Sequence, residues 1–261
     1  MRVRSLAAAL MAAFWLVGCT PSDEPPPSTR LASAEAMASA AGGASVEVPA
    51  GRWQAVLIAG DNNSPAFDNG IAALREKLTA RGVRDIRVLT SDPAANPSLP
   101  VASAANVSGA LRRPGGEACL AYITSHGDRS GFVLRPARGT VSPAALVAAL
   151  DAGCGARPTV VVVSACYSGV FMTPSMRRPN RIVLSAAASD RPSFGCGADD
   201  QYTYYDQCLL QQFDGATTWA QLAAATRACV ANLEQQMGIG RPSRPQTFVG
   251  SGVADLRIPR R

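Results

Sequence analysis

A chain of 261 residues, 47% of them hydrophobic, is long enough for one sizeable domain with extensions and can build a core without disulfides. The net charge of +6 comes from scattered arginines, with no basic stripe interleaved with aromatic residues, so nucleic-acid binding is not predicted. The P-loop, dinucleotide-binding and G-x-S-x-G hydrolase motifs are absent from the sequence.

The start of the chain predicts a secreted, lipid-anchored protein. Arg2 and Arg4 precede an apolar stretch, 6–17, which is too short to span a bilayer. It ends in Leu-Val-Gly-Cys19, which resembles the lipobox of bacterial lipoproteins, whose cysteine is diacylated and becomes the new N-terminus. We therefore expect a lipoprotein signal peptide over 1–19 and a lipid bilayer contacted through acylated Cys19. An ordinary secretory signal with an incidental cysteine is the alternative.

Residues 20–51 are predicted to form a disordered tether. Three consecutive prolines, 25–27, are stiff, and the Ala/Ser/Gly-rich run 31–45 has few large apolar side chains to bury. The folded domain is expected to cover 52–261. With this leader, the protein is expected in the bacterial cell envelope, as a membrane-anchored protein that faces the periplasm or the exterior.

Hydrophobic periodicity and turn residues predict an alternating series of strands and helices in the domain. Such alternation is typical of a mostly parallel sheet covered by helices on both faces. Ser142 and Pro143 are expected to cap and open one helix, and Gly82 to end another. Strands are predicted at 55–59, 86–89, 119–124, 131–134, 159–164 and 181–185, and helices at 67–81, 102–112, 142–151, 204–213 and 217–236, with an irregular tail after 238.

Two of the predicted strands end in residues that can carry chemistry. Four valines, 160–163, lead into Ser164-Ala165-Cys166-Tyr167-Ser168-Gly169, and the strand 119–124 leads into Ser125-His126-Gly127. Open α/β sheets carry their sites at the carboxyl ends of the strands. His126, the only histidine, can activate the Cys166 thiol and lower its pKa, and the N–H groups of Gly127 and Cys166 can form an oxyanion hole.

The paired motifs resemble the caspase-like clan of cysteine peptidases, and within it the bacterial members of the legumain (asparaginyl endopeptidase) family. The similarity covers about 52–213 and includes the segments 185–190, 193–196 and 203–205. It implies a caspase-like three-layer α/β sandwich with a mostly parallel central sheet, and a cysteine endopeptidase that acts on peptide or protein substrates. By this resemblance Cys166 is the nucleophile and His126 the general base and acid. No metal or organic cofactor is implied.

The substrate pocket departs from the family pattern. Plant and animal legumains carry an acidic residue two positions before the cysteine, where this chain has Ser164, and their arginine after the first strand has no counterpart in 62–65. Asparagine specificity is therefore not predicted. The sequence leaves open whether Asp61, Asp190 or Asp206 supplies the acidic residue of the substrate pocket. The candidate pocket residues are Asp61, Ser164, Ser185 and Asp206.

Two hypotheses from different classes follow. The first is a membrane-tethered cysteine endopeptidase or transpeptidase; the second is a catalytically idle caspase-like lipoprotein that serves as a binding or scaffold module. The presence of both His126 and Cys166 favours the first.

The other cysteines point to disulfides of undetermined pairing. Apart from Cys19 and Cys166 there are five, an odd number, so at most two pairs can form in an oxidising compartment. A bridge between Cys196 and Cys208 is predicted, which would stiffen the loop beside the expected pocket. A structural zinc site is not expected, because the chain has a single histidine and no C-x-x-C pair. Asp128, after His-Gly, is expected to be a turn residue.

Overall fold

The computed structural model describes residues 46–260, which form a mixed α/β domain around a six-stranded sheet. The sheet order is β2-β1-β3-β7-β8-β9; the first five strands are parallel and β9 is antiparallel. A small antiparallel sheet, β4-β5-β6, follows β3 in the chain. The strands are β1 Trp53–Ala59, β2 Asp85–Leu89, β3 Ala118–Thr124, β4 Gly127–Asp128, β5 Gly131–Leu134, β6 Gly139–Val141, β7 Thr159–Ser164, β8 Arg181–Ser185 and β9 Gln246–Val249.

Among the described residues, five helices cover the two faces of the sheet, and each begins at a side-chain cap. The hydroxyl of the residue before each helix accepts a backbone N–H, as predicted for Ser142 in front of Pro143. Gly82 follows the first helix with a φ of 96°, which confirms its predicted capping position. The helices are α1 Pro65–Ala80, α2 Ala104–Arg112, α3 Pro143–Gly153, α4 Tyr204–Gln212 and α5 Trp219–Gln236.

The central strands are buried on both faces because their alternate side chains enter two separate cores. In β7, Val160 and Val162 join the core formed with α1, α4 and α5, whereas Val161 and Val163 join the core formed with α2 and α3. These two cores and the sheet between them make the three layers that the sequence predicts. A run of four valines is therefore explained by burial on both sides.

The chain after Gly238 differs from the predicted irregular tail. Gln246–Val249 forms β9, which pairs with β8 from Ile182↔Val249 to Ser185↔Gln246. This edge strand has no strong apolar alternation, so its structure depends on pairing with β8 rather than on a local pattern.

The amino-terminal part of the described chain packs against the domain. Val46 and Val48 are partly buried against the α1-side core, and the Arg257 N–H donates to Val46 O (2.9 Å). Packing thus begins before the predicted domain start at residue 52. The predicted signal peptide, Cys19 and most of the predicted tether lie outside the described residues, and the domain boundaries stay predictions.

Two disulfides join neighbouring elements, and neither is the predicted bridge between Cys196 and Cys208. Cys119 of β3 pairs with Cys154 after α3 (Cα–Cα 6.0 Å), and Cys208 of α4 pairs with Cys229 of α5 (Cα–Cα 5.6 Å). The predicted bridge was wrong because antiparallel packing of α4 and α5 brings Cys229 to Cys208. Cys166 and Cys196 remain as thiols.

Within residues 46–260, no helix has both the length and the apolar character needed to cross a bilayer.

The close packing of α2 against α3 can be tested with two matched glycine substitutions, one at the contact and one away from it. A Cβ at Gly153 would overlap the Leu111 carbonyl, whereas a Cβ at Gly109 would meet nothing within 4 Å. Gly153→Ala should therefore destabilise the domain by about 1–3 kcal/mol through overpacking. Gly109→Ala should be neutral or stabilise it by up to about 1 kcal/mol through helix propensity.

Denaturant unfolding of both variants measures this difference. Equal midpoints for Gly153→Ala and Gly109→Ala would contradict the packing described for α2 and α3.

Candidate active site

The register between β3 and β7 brings His126 and Cys166 to the same edge of the sheet. Thr124 faces Ser164 in the parallel ladder, and the Ser125 N–H donates to Ser164 O (3.0 Å). His126 and Cys166 each lie two residues beyond this last pair. The predicted nucleophile and base are therefore equivalent positions at the ends of neighbouring strands.

The backbone after Cys166 is fixed by the segment that follows β8. Tyr167 adopts the left-handed conformation (φ 57°), and its N–H donates to Arg191 O (2.8 Å). The buried Ser168 hydroxyl accepts the Ala187 N–H (3.1 Å), and any Cβ at Gly169 would overlap the backbone of Ser189. The small residues of the motif thus allow this segment to pack directly against the nucleophile turn.

The Cys166 sulfur lies in a ring of polar groups from the same segment. The Ser193 N–H donates to Cys166 Sγ (3.2 Å), the Ser193 hydroxyl lies 3.6 Å from it, and the thiol faces Ser193 O at 3.5 Å. A hydrogen bond from the Cys196 thiol, the Ser193 contacts and the charge of His126 lower the pKa of Cys166 to about 6, although burial opposes them. These contacts favour the thiolate of Cys166, which is the form that acts as a nucleophile.

His126 is held by its backbone and by an aromatic contact. Its carbonyl accepts the Val133 N–H of β5 (2.9 Å), and its ring lies edge-on to Phe67 of α1 with centroids 5.1 Å apart. No carboxylate of the described residues forms a hydrogen bond or ion pair with the imidazole. Asp128 is the last residue of β4 rather than a residue of the predicted turn, and its side chain caps the turn that follows: its carboxylate accepts the Ser130 N–H (2.7 Å) and hydroxyl, and these bonds lower the pKa of Asp128. The candidate base, His126, therefore has no carboxylate partner among the described residues.

The two backbone N–H groups that are predicted to bind an oxyanion have no acceptor among the described residues. Residues that face each other in an antiparallel ladder alternate between hydrogen-bonded and non-hydrogen-bonded pairs. Val133 donates to His126, so the next pair, Gly127 and Phe132, is a non-hydrogen-bonded one, and the Gly127 N–H takes no part in the ladder. Among the described residues, the Cys166 N–H has no protein acceptor. A Cβ at Gly127 would lie 2.6 Å from Cys166 O, so only glycine allows these two backbones to approach so closely.

Of the four candidate pocket residues, the structure brings Ser164 and Asp206 together. Asp206 of α4 accepts hydrogen bonds from Tyr122 (2.5 Å) and Thr124 (2.6 Å) of β3. Thr203 Oγ1 accepts the Asp206 N–H (3.0 Å) and lies 3.3 Å from Ser164 Oγ. The carboxylate is buried, and burial raises the pKa of Asp206 above its usual range. This polar cluster ties the strand that carries His126 to the strand that carries Cys166.

The other two candidates lie apart from this cluster. Asp61 is buried, pairs with Arg135 (3.3 Å) and accepts the Asn63 N–H (2.9 Å), whereas Ser185 donates to Ala187 O (3.1 Å). Asp190 lies at the surface between two arginines. All four candidate side chains are at most 1% exposed, so they do not line one open pocket together.

Sequence reasoning gave Ser193 no individual role and gave Cys196 only the bridge to Cys208, although both lie in the Ser-Phe-Gly-Cys segment that carries the family resemblance. The sequence feature that could have indicated this segment is Gly195. It has a φ of 79°, and a Cβ added there would overlap Tyr204. That glycine allows the chain to turn between Ser193, which contacts Cys166 Sγ, and the start of α4. No group of three or more His, Cys, Asp or Glu that could hold a metal occurs between residues 46 and 260.

The low pKa of Cys166 predicts how alkylation depends on pH. The rate of iodoacetamide labelling at Cys166 should rise with pH through a midpoint of about 6, because the thiolate is the reacting form. His126→Ala removes a favourable charge and should move the midpoint upward, so that the variant labels more slowly at pH 6–7. Cys196→Ala should also move it upward, because the largest contribution to the low pKa is lost.

Peptide mapping after a brief reaction assigns the label to Cys166. The dyad is refuted if Cys166 labels no faster in the wild type than in His126→Ala at every pH.

Comparison with known proteins agrees with this geometry. The model of the Peptidase C13 family matches residues 114–236, a segment that contains both His126 and Cys166. No curated protein matches the chain in sequence. The crystal structure of caspase-1 from Spodoptera frugiperda is similar in fold, with a TM-score of 0.55 and 12% identity over 76% of this chain and 86% of that one. The C13 match, over a little less than half of the chain, and the caspase-like fold support a legumain-like cysteine-type endopeptidase.

Proposed function

We propose that this peptidase cleaves peptide bonds through a Cys166/His126 dyad and an acyl-enzyme, while anchored by a lipid in the bacterial cell envelope. The observation that supports the dyad most strongly is the Thr124↔Ser164 register, which sets His126 and Cys166 at equivalent positions beyond β3 and β7.

The first half-reaction uses the groups gathered around the thiol. The Cys166 thiolate attacks the carbonyl carbon of the substrate, and the negative charge moves to the carbonyl oxygen. The N–H groups of Gly127 and Cys166 can bind that oxygen, which stabilises the tetrahedral intermediate. Protonated His126 gives its proton to the leaving amine as the C–N bond breaks, and the acyl group remains on Cys166.

The second half-reaction releases the acyl group. Neutral His126 takes a proton from a water molecule, which attacks the thioester carbon and releases the carboxylic acid and the thiolate. An amine that takes the place of water gives a new peptide bond instead, so the same site supports transpeptidation.

A positional-scanning peptide library tests the proposed activity and reveals the preferred residue before the cleaved bond. The full-length wild type should cleave members of the library, and Cys166→Ala should lose this cleavage because it lacks the nucleophile. His126→Ala should lose at least about 10²-fold in kcat/KM, the usual contribution of general acid–base catalysis. Asp128→Asn is the matched control beside His126, because asparagine also favours this turn, and it should retain most of the activity.

Absence of any cleavage that depends on Cys166 would reject the peptidase mechanism and support the idle scaffold instead. Equal losses in Asp128→Asn and His126→Ala would show that the hairpin conformation, rather than the imidazole, is what the reaction needs.

The lipid anchor is supported by the leader alone. Arg2, Arg4 and the apolar stretch 6–17 precede Leu-Val-Gly-Cys19. Two acyl chains on Cys19 would hold the protein stably at a bilayer, since each buried methylene contributes ~0.8 kcal/mol.

Expression of the full chain in a bacterium that processes lipoproteins tests the anchor. Mass spectrometry should find a mature chain that begins at diacylated Cys19, and this chain should partition into detergent. Cys19→Ser should remain unacylated and water-soluble. A wild-type protein that is itself unacylated and water-soluble would contradict the lipoprotein assignment.

A further inference from the structure

A basic cavity opens at the amino edge of the sheet, where the parallel strands begin. It has a volume of about 950 Å³ and lies between the segment before β1, the end of α1 and the start of β2. Arg75, Arg84 and Arg260 line it, and all three are exposed. Of the described residues, no Asp or Glu lines this cavity. His126 and Cys166 lie beyond the opposite ends of the strands, so the peptidase mechanism gives the cavity no role.

The fold brings these arginines together from three segments that are distant in the sequence. Helix α1 runs back from the carboxyl ends of the strands, so Arg75, near its end, reaches the amino edge, and Arg84 stands directly before β2. At the end of the domain, the Arg257 N–H donates to Val46 O (2.9 Å), which places Arg260 beside the chain that enters β1. The cluster is thus a product of the fold and not of a basic run in the sequence.

The charge of this cluster is not balanced by acidic side chains. In the part of the chain that the structure describes, none of the three arginines forms an ion pair, and Arg260 donates to Ala216 O (3.4 Å). Acidic residues near this edge already pair with other arginines, as in Glu47–Arg257, Asp85–Arg87 and Glu117–Arg52. Three like charges therefore share one concave surface, which attracts an anionic ligand.

The form of the cavity fits phosphate groups presented by a surface. A guanidinium can form two parallel hydrogen bonds with a phosphate. Sites for small molecules enclose their ligand and converge a few polar groups on it, whereas every polar side chain that lines this cavity is exposed. The chain that enters beside the cavity leads back to Cys19, the predicted point of attachment to a bilayer. The phosphates nearest to this edge would then be those of lipid head groups.

We propose that Arg75, Arg84 and Arg260 form a membrane-facing surface that binds the head groups of anionic phospholipids and holds the amino edge of the domain against the bilayer. Its role in the cell rests on the proposed lipid anchor, whereas the binding of anionic head groups does not. An anchor that keeps the domain close to the bilayer raises the effective concentration of head groups, so a contact that is weak in solution becomes occupied. Each basic side chain near an anionic membrane surface strengthens binding about fivefold.

Sedimentation with lipid vesicles tests the inference. The full-length Cys19→Ser chain has no acyl groups, and it is mixed with vesicles of phosphatidylcholine or of an equimolar mixture with phosphatidylglycerol. It should bind the anionic vesicles more tightly, and this preference should fall as salt is raised, because salt screens the attraction. In the same chain, the edge variant Arg75→Gln/Arg84→Gln/Arg260→Gln should lose about 10²-fold in affinity for the anionic vesicles. Binding to neutral vesicles, to which the apolar leader can contribute, should not change.

The matched control removes three exposed arginines near the other end of the sheet, as Arg129→Gln/Arg138→Gln/Arg241→Gln. It has the same net charge as the edge variant and should keep most of the preference for anionic vesicles. Equal losses in the two triple variants would show that net charge alone decides binding and would overturn the inference. Absence of any preference in the parent chain would overturn it as well.

A soluble phosphate compound is the other ligand that the same arginines could bind. Isothermal titration with inorganic phosphate at millimolar concentration should give no binding that depends on them. If it does, while the vesicles do not distinguish the edge variant from the control, the membrane-facing surface is rejected. None of these measurements depends on acylation or on peptide cleavage. A wild-type chain that is never acylated in the cell would therefore reject the proposed anchor and leave head-group binding intact.

Discussion

Each residue of β3 faces a fixed partner on β7, and this register decides which side chains meet at the carboxyl edge of the sheet. The pairing runs from Cys119↔Thr159 to Thr124↔Ser164, with side chains that are buried on both faces. A slip by one residue would exchange the side chains that enter the two cores, so packing opposes it strongly. The relative position of His126 and Cys166 is therefore maintained by hydrophobic burial along the whole length of the two strands.

A second constraint acts from the chain that follows β8. Its backbone accepts the Tyr167 N–H at Arg191 and donates to Cys166 Sγ at Ser193. The buried Asp206 cluster joins α4, which ends this segment, to Tyr122 and Thr124 of β3. The turn that carries the thiol is thus held by groups that are distant from it in the sequence.

The parts of the fold that could be predicted are those with a strong local pattern. The apolar runs that became β1, β3, β7 and β8, together with the capped helices, follow from periodicity and turn chemistry. Strand β9 lacks such a pattern and exists through its pairing with β8. The pairing of Cys208 with Cys229 depends on how α4 packs against α5, which no spacing rule supplies.

The candidate site divides in the same way. His126, Gly127 and Cys166 are recognisable because each follows an apolar strand. The contacts of Ser193 with the thiol could not be foreseen, since they come from a segment without periodicity whose path is set by Gly195 and Tyr204. The burial of Asp61, Ser185 and Asp206 likewise depends on elements that are far apart in the sequence.

The position of Val46 has a consequence for how substrates reach the enzyme. The chain arrives beside Trp53, whose indole N–H donates to Val48 O (3.1 Å), at the amino end of β1. Cys166 lies beyond the carboxyl ends of the parallel strands, and a strand of seven residues rises roughly 20 Å at about 3.3 Å per residue. Any attachment made through the residues before Val46 holds the domain by the edge opposite to the nucleophile. Large or folded polypeptides can then approach Cys166 from the side remote from the point of attachment.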